Sequence, residues 1–210
     1  MPRLYVVLDA AVAIDRGYDP VDLARRFFDG GATLLQLRAK HVPSGQFLEW
    51  GDSICALAAP YGARVIVNDR ADIAIMCGAA GVHVGQDDLP PAAARSAARG
   101  RSLEIGLSTH TTEQIAAAGH EPVDYIAIGP VFDTGTKDTG YEAVGLEMVR
   151  EAVKASAARP VVAIGGITLG NAASVIDAGA SSVAVISDLL ATNDPAGRVA
   201  QYLAALNLPT

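Results

Sequence analysis

Leu34-Leu35-Gln36-Leu37-Arg38-Ala39-Lys40 begins as a short apolar run and ends in charge. Side chains on a strand alternate between two faces, so Gln36, Arg38 and Lys40 share one face while Leu35 and Leu37 take the other. The same event recurs along the chain. Short apolar runs are followed by Asn68-Asp69, Gln86-Asp87-Asp88, Ser108-Thr109-His110, the group Thr134, Thr136 and Lys137, then Gly165-Gly166 and Ser187. The strand candidates are 4–8, 34–37, 65–67, 81–84, 104–107, 125–128, 161–164 and 182–185. Helix candidates lie near 20–29, 44–59, 71–77, 90–99, 112–118, 146–157, 171–178 and 194–206. Such alternation leaves a closed barrel or an open doubly wound sheet. A barrel brings every polar strand end to one rim, where its active sites form, whereas an open sheet concentrates function at one switch point. The predicted fold is therefore α/β, a (β/α)8 TIM barrel, with residues 1–210 as one catalytic domain.

Local signals agree with these elements. Thr111 and Asn171 stand at helix starts, and Pro20 and Pro90 sit where a first-turn proline is tolerated. Gly78, Gly119 and Gly179 follow helix ends and fit left-handed caps. The composition is 50% hydrophobic but only 5% aromatic, so Ala, Val, Leu and Ile must fill the core, as in buried parallel strands covered by helices. Trp50 and the tyrosines lack a stacking-platform spacing and read as packing.

A formal charge of -7 argues against nucleic acid as a partner, since binding a phosphate backbone needs a basic face. Anionic small molecules need only a few well-placed cations. Cys55 and Cys77 lack metal-ligand spacing and read as small reduced core residues. No apolar run approaches the roughly 18–20 residues that span a membrane. A cytoplasmic enzyme is expected, and a homo-oligomer is compatible with the sequence.

The chemistry concentrates at the polar ends. Gln36, Arg38 and Lys40 suit a cationic clamp on a diphosphate with Gln36 against a ring, though a structural ion pair at the rim explains them equally well. Asp69 and Asp88 follow adjacent strands. Mg²⁺ takes hard oxygen ligands and is held by one or two carboxylates plus substrate phosphates, which such a pair could supply. Asp69 could instead cap the next helix, and Asp88 could lie in a solvated turn. Thr134, Thr136 and Lys137 lie in a Gly- and Thr-rich loop suited to an anion, or simply to a surface turn. Gly165-Gly166 and Ile186-Ser187 end the last two strands, where barrels frequently hold phosphate. One electrophile with a diphosphate leaving group and one phosphate-bearing nucleophile would account for these sites together.

These segments, in this order, resemble the thiamine-phosphate synthase family along essentially the whole chain. The carriers are Leu35–Lys40, Val67–Asp72, Gly81–Leu89, Gly106–His110, Gly129–Phe132 with Thr134–Lys137, Ala163–Ile167 and Val185–Ser187. The resemblance implies a Mg²⁺-dependent transferase in thiamine biosynthesis. It would couple 4-amino-2-methyl-5-hydroxymethylpyrimidine diphosphate to thiazole phosphate, or its carboxylated form, giving thiamine phosphate and diphosphate. By the same resemblance Gln36, Arg38, Lys40, Asn68, Ser108 and Lys137 contact the pyrimidine diphosphate, and Arg38, Lys40, Ser108 and Lys137 form the catalytic set. Asp69 and Asp88 hold the metal, while Thr134, Thr136, Gly166, Ile186 and Ser187 take the thiazole phosphate. The implied displacement is dissociative, which suits a chain with no evident nucleophile or acid–base pair.

Three rivals compete. A thiazole tautomerase would use a histidine such as His110 but has no purpose for the Gln36/Arg38/Lys40 clamp. A phosphate-metabolite sensor would not require both carboxylates. A phosphate-binding isomerase needs a general base, for which Asp9 and Glu104 are the candidates. His83 lies on a buried strand and is expected to point into the barrel, as a core residue or near the site.

Overall fold

The computed structural model describes residues 1–134 and 140–207. Eight parallel strands close on themselves in sequence order: β1 Leu4–Asp9, β2 Leu34–Arg38, β3 Arg64–Asn68, β4 Gly81–Val84, β5 Glu104–Thr109, β6 Tyr125–Ile128, β7 Val161–Ile164 and β8 Ser182–Val185. Closure comes from β1 against β8, where Leu4, Tyr5 and Val6 lie beside Val183, Ala184 and Val185. Around the barrel run α1 Ala10–Asp15, α2 Pro20–Asp29, α3 Ser44–Ala58, α4 Ala71–Met76, α5 Pro91–Ala97, α6 Thr112–Ala118, α7 Gly145–Ala155, α8 Ala172–Asp177 and α9 Pro195–Asn207. Among the described residues, no helix is long and apolar enough to cross a membrane.

Strand alternation sorts the core into two shells. Val6, Leu8, Leu35, Leu37, Val65, Val67, Val82 and Val84 face outward and meet the helices. Tyr5, Val7, Leu34, Ile66, Tyr125, Ala127, Val162 and Ala184 face inward and fill the barrel. Arg64 and Glu104 form a partly exposed ion pair of 2.5 Å at the N-terminal ends of β3 and β5, on the side away from the polar rim. That position, at the start of β5 and away from the cavity, removes Glu104 from the candidates for a general base.

Gly106 is where the inner shell is tightest. A Cβ added there would fall inside the Tyr125 ring, the residue beside it in the β5–β6 register. Gly106→Ala is expected to cost about 2–3 kcal/mol, a typical penalty for overpacking, read as a lower urea midpoint at unchanged slope.

Several local expectations need correction. Asp9 caps an additional six-residue helix, α1, by accepting from the amides of Ala11 and Val12. Gly119 has φ −57, so it ends α6 right-handed, whereas Gly78 and Gly179 have positive φ as expected of left-handed caps. α5 begins at Pro91, which leaves Pro90 as the residue before it. Thr111 caps α6 through its side chain, but Asn171 turns back to brace the preceding loop: its Oδ1 accepts from Thr168 N, and its Nδ2 donates to Gly166 O. Cys55 and Cys77 are half-buried rather than deep in the core, and their sulfurs lie 3.9 Å apart between α3 and α4.

Candidate active site

A cavity of about 440 Å³ opens at the C-terminal ends of the strands. Gln36, Arg38, Asn68, Ser108, Thr134, Gly166, Ile186 and Ser187 all line it, so eight of the residues singled out from sequence meet in one place. Its apolar wall comes from Val7, Ala127, Val162, Ile164 and Ala184. Thr136 and Lys137 lie outside the described residues.

The expected cationic clamp takes two different forms. β2 ends at Arg38, which is largely buried, and its guanidinium pairs with Asp9 at the cavity edge. Its Nε is buried without a partner. An unsatisfied buried donor is costly, so this guanidinium retains hydrogen-bonding capacity suited to an anion. Lys40 lies beyond the strand, exposed, with Nζ 3.2 Å from Asp69 Oδ2. Both cations thus sit in rim ion pairs, and Asp9 is held by Arg38 and by its cap, which disposes of the second general-base candidate.

Asp69 and Asp88 are brought together, but they flank the cavity rather than line it, on a cleft shared with α4 and α5. Asp69 does not cap α4; the residue before that helix is Arg70. Asp69 itself adopts φ 64, a left-handed conformation that Asp and Asn tolerate better than most residues. Burial pushes its carboxyl above the usual aspartate range, and the neighbouring Asp88 adds to the effect against the opposing pull of Lys40. Asp88 is no loose turn residue: its Oδ2 accepts from Gly85 N at 2.7 Å. Two converging carboxylates, one disfavoured as an anion, form a donor set whose repulsion a hard divalent cation would relieve. Among the described residues no group of three or more His, Cys, Asp or Glu converges, so a metal held here would need oxygen from substrate or water.

At the opposite wall, Gly165 and Gly166 have φ 100 and 64. An added Cβ at Gly166 would lie 2.6 Å from Asp133 O and 2.7 Å from the Phe132 Cβ. Glycine is therefore needed here so that the loops after β6 and β7 can pack against each other. Ser187 starts a short 3-10 turn, Ser187–Leu190, tied to α9 where Asp188 accepts from Arg198 at 2.8 Å and from Tyr202 at 2.5 Å.

His110 lines the cavity with Nδ1 2.5 Å from Gly129 O, and its ring stacks 4.1 Å from that of Tyr141. Its own amide donates to Gln114 Oε1 inside α6. Two contributions were not read from sequence. Arg16, just past α1, lines the mouth and donates to Leu190 O. Tyr5 and Tyr125, read as packing, join their buried hydroxyls at 2.9 Å beneath the cavity. No sequence spacing could reveal a contact between residues so far apart in the chain. An inward position on β1, two residues before Val7, was the available hint for Tyr5.

Comparisons with known proteins agree on one family. A family model described as thiamine monophosphate synthase matches residues 4–189. The thiamine-phosphate synthase of Koribacter versatilis is 44% identical over 99% of this chain and 97% of its own length. That of Methanospirillum hungatei is 41% identical over 91% of each chain. The solved thiamine phosphate pyrophosphorylase of Pyrococcus furiosus superposes with a TM-score of 0.87 at 33% identity, covering 97% of this chain and 95% of that one. A 3-hexulose-6-phosphate synthase at 19% identity and TM-score 0.68 shares the fold.

Proposed function

The chain belongs to the thiamine monophosphate synthase family and is a transferase; on that premise we propose that it couples 4-amino-2-methyl-5-hydroxymethylpyrimidine diphosphate to thiazole phosphate. The products would be thiamine phosphate and diphosphate, the reaction would need Mg²⁺, and the enzyme would work in the cytoplasm. The observation that supports this most directly is a mostly apolar cavity whose floor is hydrogen-bonding while its rim carries cations beside paired carboxylates.

The division of labour follows from that polarity. Gln36, Asn68 and Ser108 hold the aminopyrimidine on the floor. Arg38, with its unsatisfied Nε, and Lys40 receive the diphosphate at the rim. Asp69 and Asp88 are the groups that would hold Mg²⁺, which when bound supplies positive charge to the departing diphosphate. Thr134, Gly166, Ile186 and Ser187 take the second substrate's phosphate on the far wall. Thr136 on the same phosphate and Lys137 on the leaving group complete the proposal from family resemblance.

A dissociative displacement leaves a methylene cation that water would quench. Val7, Ala127, Val162, Ile164 and Ala184 keep that part of the cavity apolar, so the thiazole nitrogen is the nucleophile at hand. No side chain is asked to form a covalent bond; the cations act by stabilising developing charge.

The test is diphosphate release by purified protein given both substrates and Mg²⁺, with each omitted in turn. Thiamine phosphate should form only when all three are present, and release should fall to background without any one. Turnover that persists after chelation would sink the metal assignment. Isomerisation of a thiazole precursor in place of coupling would move the activity to a tautomerase built around His110.

A further inference from the structure

Beneath the cavity runs an unbroken chain of buried polar groups. Gln36 Nε2 lies 3.0 Å from Tyr5 Oη, which lies 2.9 Å from Tyr125 Oη. Tyr125 Oη lies 3.0 Å from His83 Nδ1, and His83 Nε2 lies 2.9 Å from Ser108 Oγ. Gln36, Tyr5, His83 and Ser108 all touch the cavity, with Gln36 and Ser108 at the two ends, while Tyr125 is fully buried behind it. The His83 and Tyr125 rings stack, and Ser108 O accepts from Gln86 Nε2 at 2.6 Å, so both ends of this segment are held in place.

Each phenol has one hydrogen, and so does a neutral imidazole. A buried hydrogen without a partner is costly, so the bonds must all run in one direction. With Gln36 Nε2 donating to Tyr5, Tyr5 must donate to Tyr125 and Tyr125 to His83 Nδ1. His83 then carries its hydrogen on Nε2 and donates it to Ser108, whose own hydroxyl hydrogen is left to point into the cavity. Gln36 Oε1 is left as an acceptor at the other end. Reversing the chain reverses both ends together. With Gln36 Nε2 turned to Tyr5, as it is here, a doubly protonated His83 would donate on both sides and leave the Tyr5 hydrogen without an acceptor, so this orientation goes with a singly protonated imidazole.

We propose that the Tyr5–Tyr125–His83 relay locks Gln36 and Ser108 into opposite hydrogen-bonding polarity, so that the floor selects a ring edge offering one donor and one acceptor. Resting on the function proposed above, that edge is the amino group and adjacent ring nitrogen of the pyrimidine, with Gln36 accepting and Ser108 donating. Tyr5 and Tyr125 are positioning residues. Burial pushes both phenols well above their ordinary range, so neither ionises at neutral pH to disturb the direction.

The decisive measurement is the ¹⁵N NMR of histidine-labelled, ligand-free protein, in which the His83 signal among four histidines is identified by its loss in His83→Gln. His83 should carry its hydrogen on Nε2 with Nδ1 bare, and Tyr125→Phe should spread the hydrogen over both nitrogens. A hydrogen on both nitrogens in the unsubstituted protein overturns the relay, and a hydrogen on Nδ1 overturns its assignment of Gln36 as acceptor and Ser108 as donor. In steady-state assays Tyr125→Phe should raise KM for the pyrimidine diphosphate about tenfold, the weight of one misdirected hydrogen bond, and leave KM for the thiazole phosphate unchanged. Equal rises in both KM values would reduce the tyrosines to packing. Should Tyr125→Phe not fold, Tyr5→Phe carries the kinetic comparison. A protein that does not use the pyrimidine diphosphate at all refutes the functional reading, while the NMR result still decides the relay.

Discussion

Asp69→Asn is expected to reduce turnover on the order of 10²–10³-fold while making the metal-free protein more stable. The loss follows from removing one of the two carboxylates proposed to hold Mg²⁺, and with it charge stabilisation of the leaving diphosphate. The gain follows from the electrostatics of the site. Asp69 is largely buried beside Asp88, and both burial and that neighbour raise its carboxyl above the ordinary range. Asn keeps the shape without the charge, and it tolerates the left-handed backbone at φ 64 as well as Asp does. The ion pair given up, to a half-exposed Lys40, is of a kind that contributes about 0–1 kcal/mol.

A pH dependence follows from the same shift. Because the folded state holds the Asp69 proton more tightly than the unfolded chain, the unfolded state binds fewer protons in the window between the two values. The contribution to stability is then greatest below the ordinary aspartate pKa and falls as pH rises through the raised one. Asp69→Asn should flatten that fall. Denaturation midpoints in chelator across pH 3–7, compared for the two proteins, check both claims; a variant less stable at pH 7 would refute the reading of a repulsive carboxylate pair.

Gly166→Ala should cost about 3–5 kcal/mol and abolish use of the proposed second substrate, the thiazole phosphate. Part of the cost is backbone: a residue with a Cβ at φ 64 pays about 1–2 kcal/mol for the left-handed conformation. The rest is collision, since the new methyl meets Asp133 O and the Phe132 Cβ from the loop after β6. That loop leads into Thr134, on the same cavity wall, so relief of the clash moves a second proposed phosphate contact. Gly170→Ala is the control, because its φ is not left-handed and its Cβ would meet nothing closer than Thr168 Oγ1 at 3.9 Å. Thermal unfolding should show a large drop for the first variant and almost none for the second.

The barrel was legible because its strands announce themselves. Gly81–Val84, Tyr125–Ile128, Val161–Ile164 and Ser182–Val185 match the predicted ranges, each being a compact apolar or β-branched run bounded by polar or turn residues. Elsewhere the polar residue ending a strand proved to belong to it, as with Asp9, Arg38, Asn68 and Thr109. The six-residue α1 and the 3-10 turn at Ser187–Leu190 escaped because neither is long enough to show helical periodicity, although Asp9 before Ala10-Ala11 was a usable cap signal. The cavity-lining residues were legible because strand ends in a barrel must converge. Partnerships were not: the Arg38–Asp9 and Lys40–Asp69 pairs and the tyrosine relay each join residues from different strands or loops, at distances that only the closed barrel sets.

The filling of the barrel has a consequence for kinetics. Tyr5, Leu34, Ile66, Tyr125 and Val162 occupy the interior below the cavity, so the described residues leave the cavity open at the C-terminal ends of the strands, and whatever sits deepest has to arrive first. A ring bound on the Gln36–Ser108 floor would be trapped beneath a second molecule seated against Gly166 and Ser187. Loading in the opposite sequence would require the two to pass each other in about 440 Å³. On the proposed function the expected order is therefore a queue: pyrimidine before thiazole on the way in, with the joined product and the diphosphate at the rim leaving by the same door.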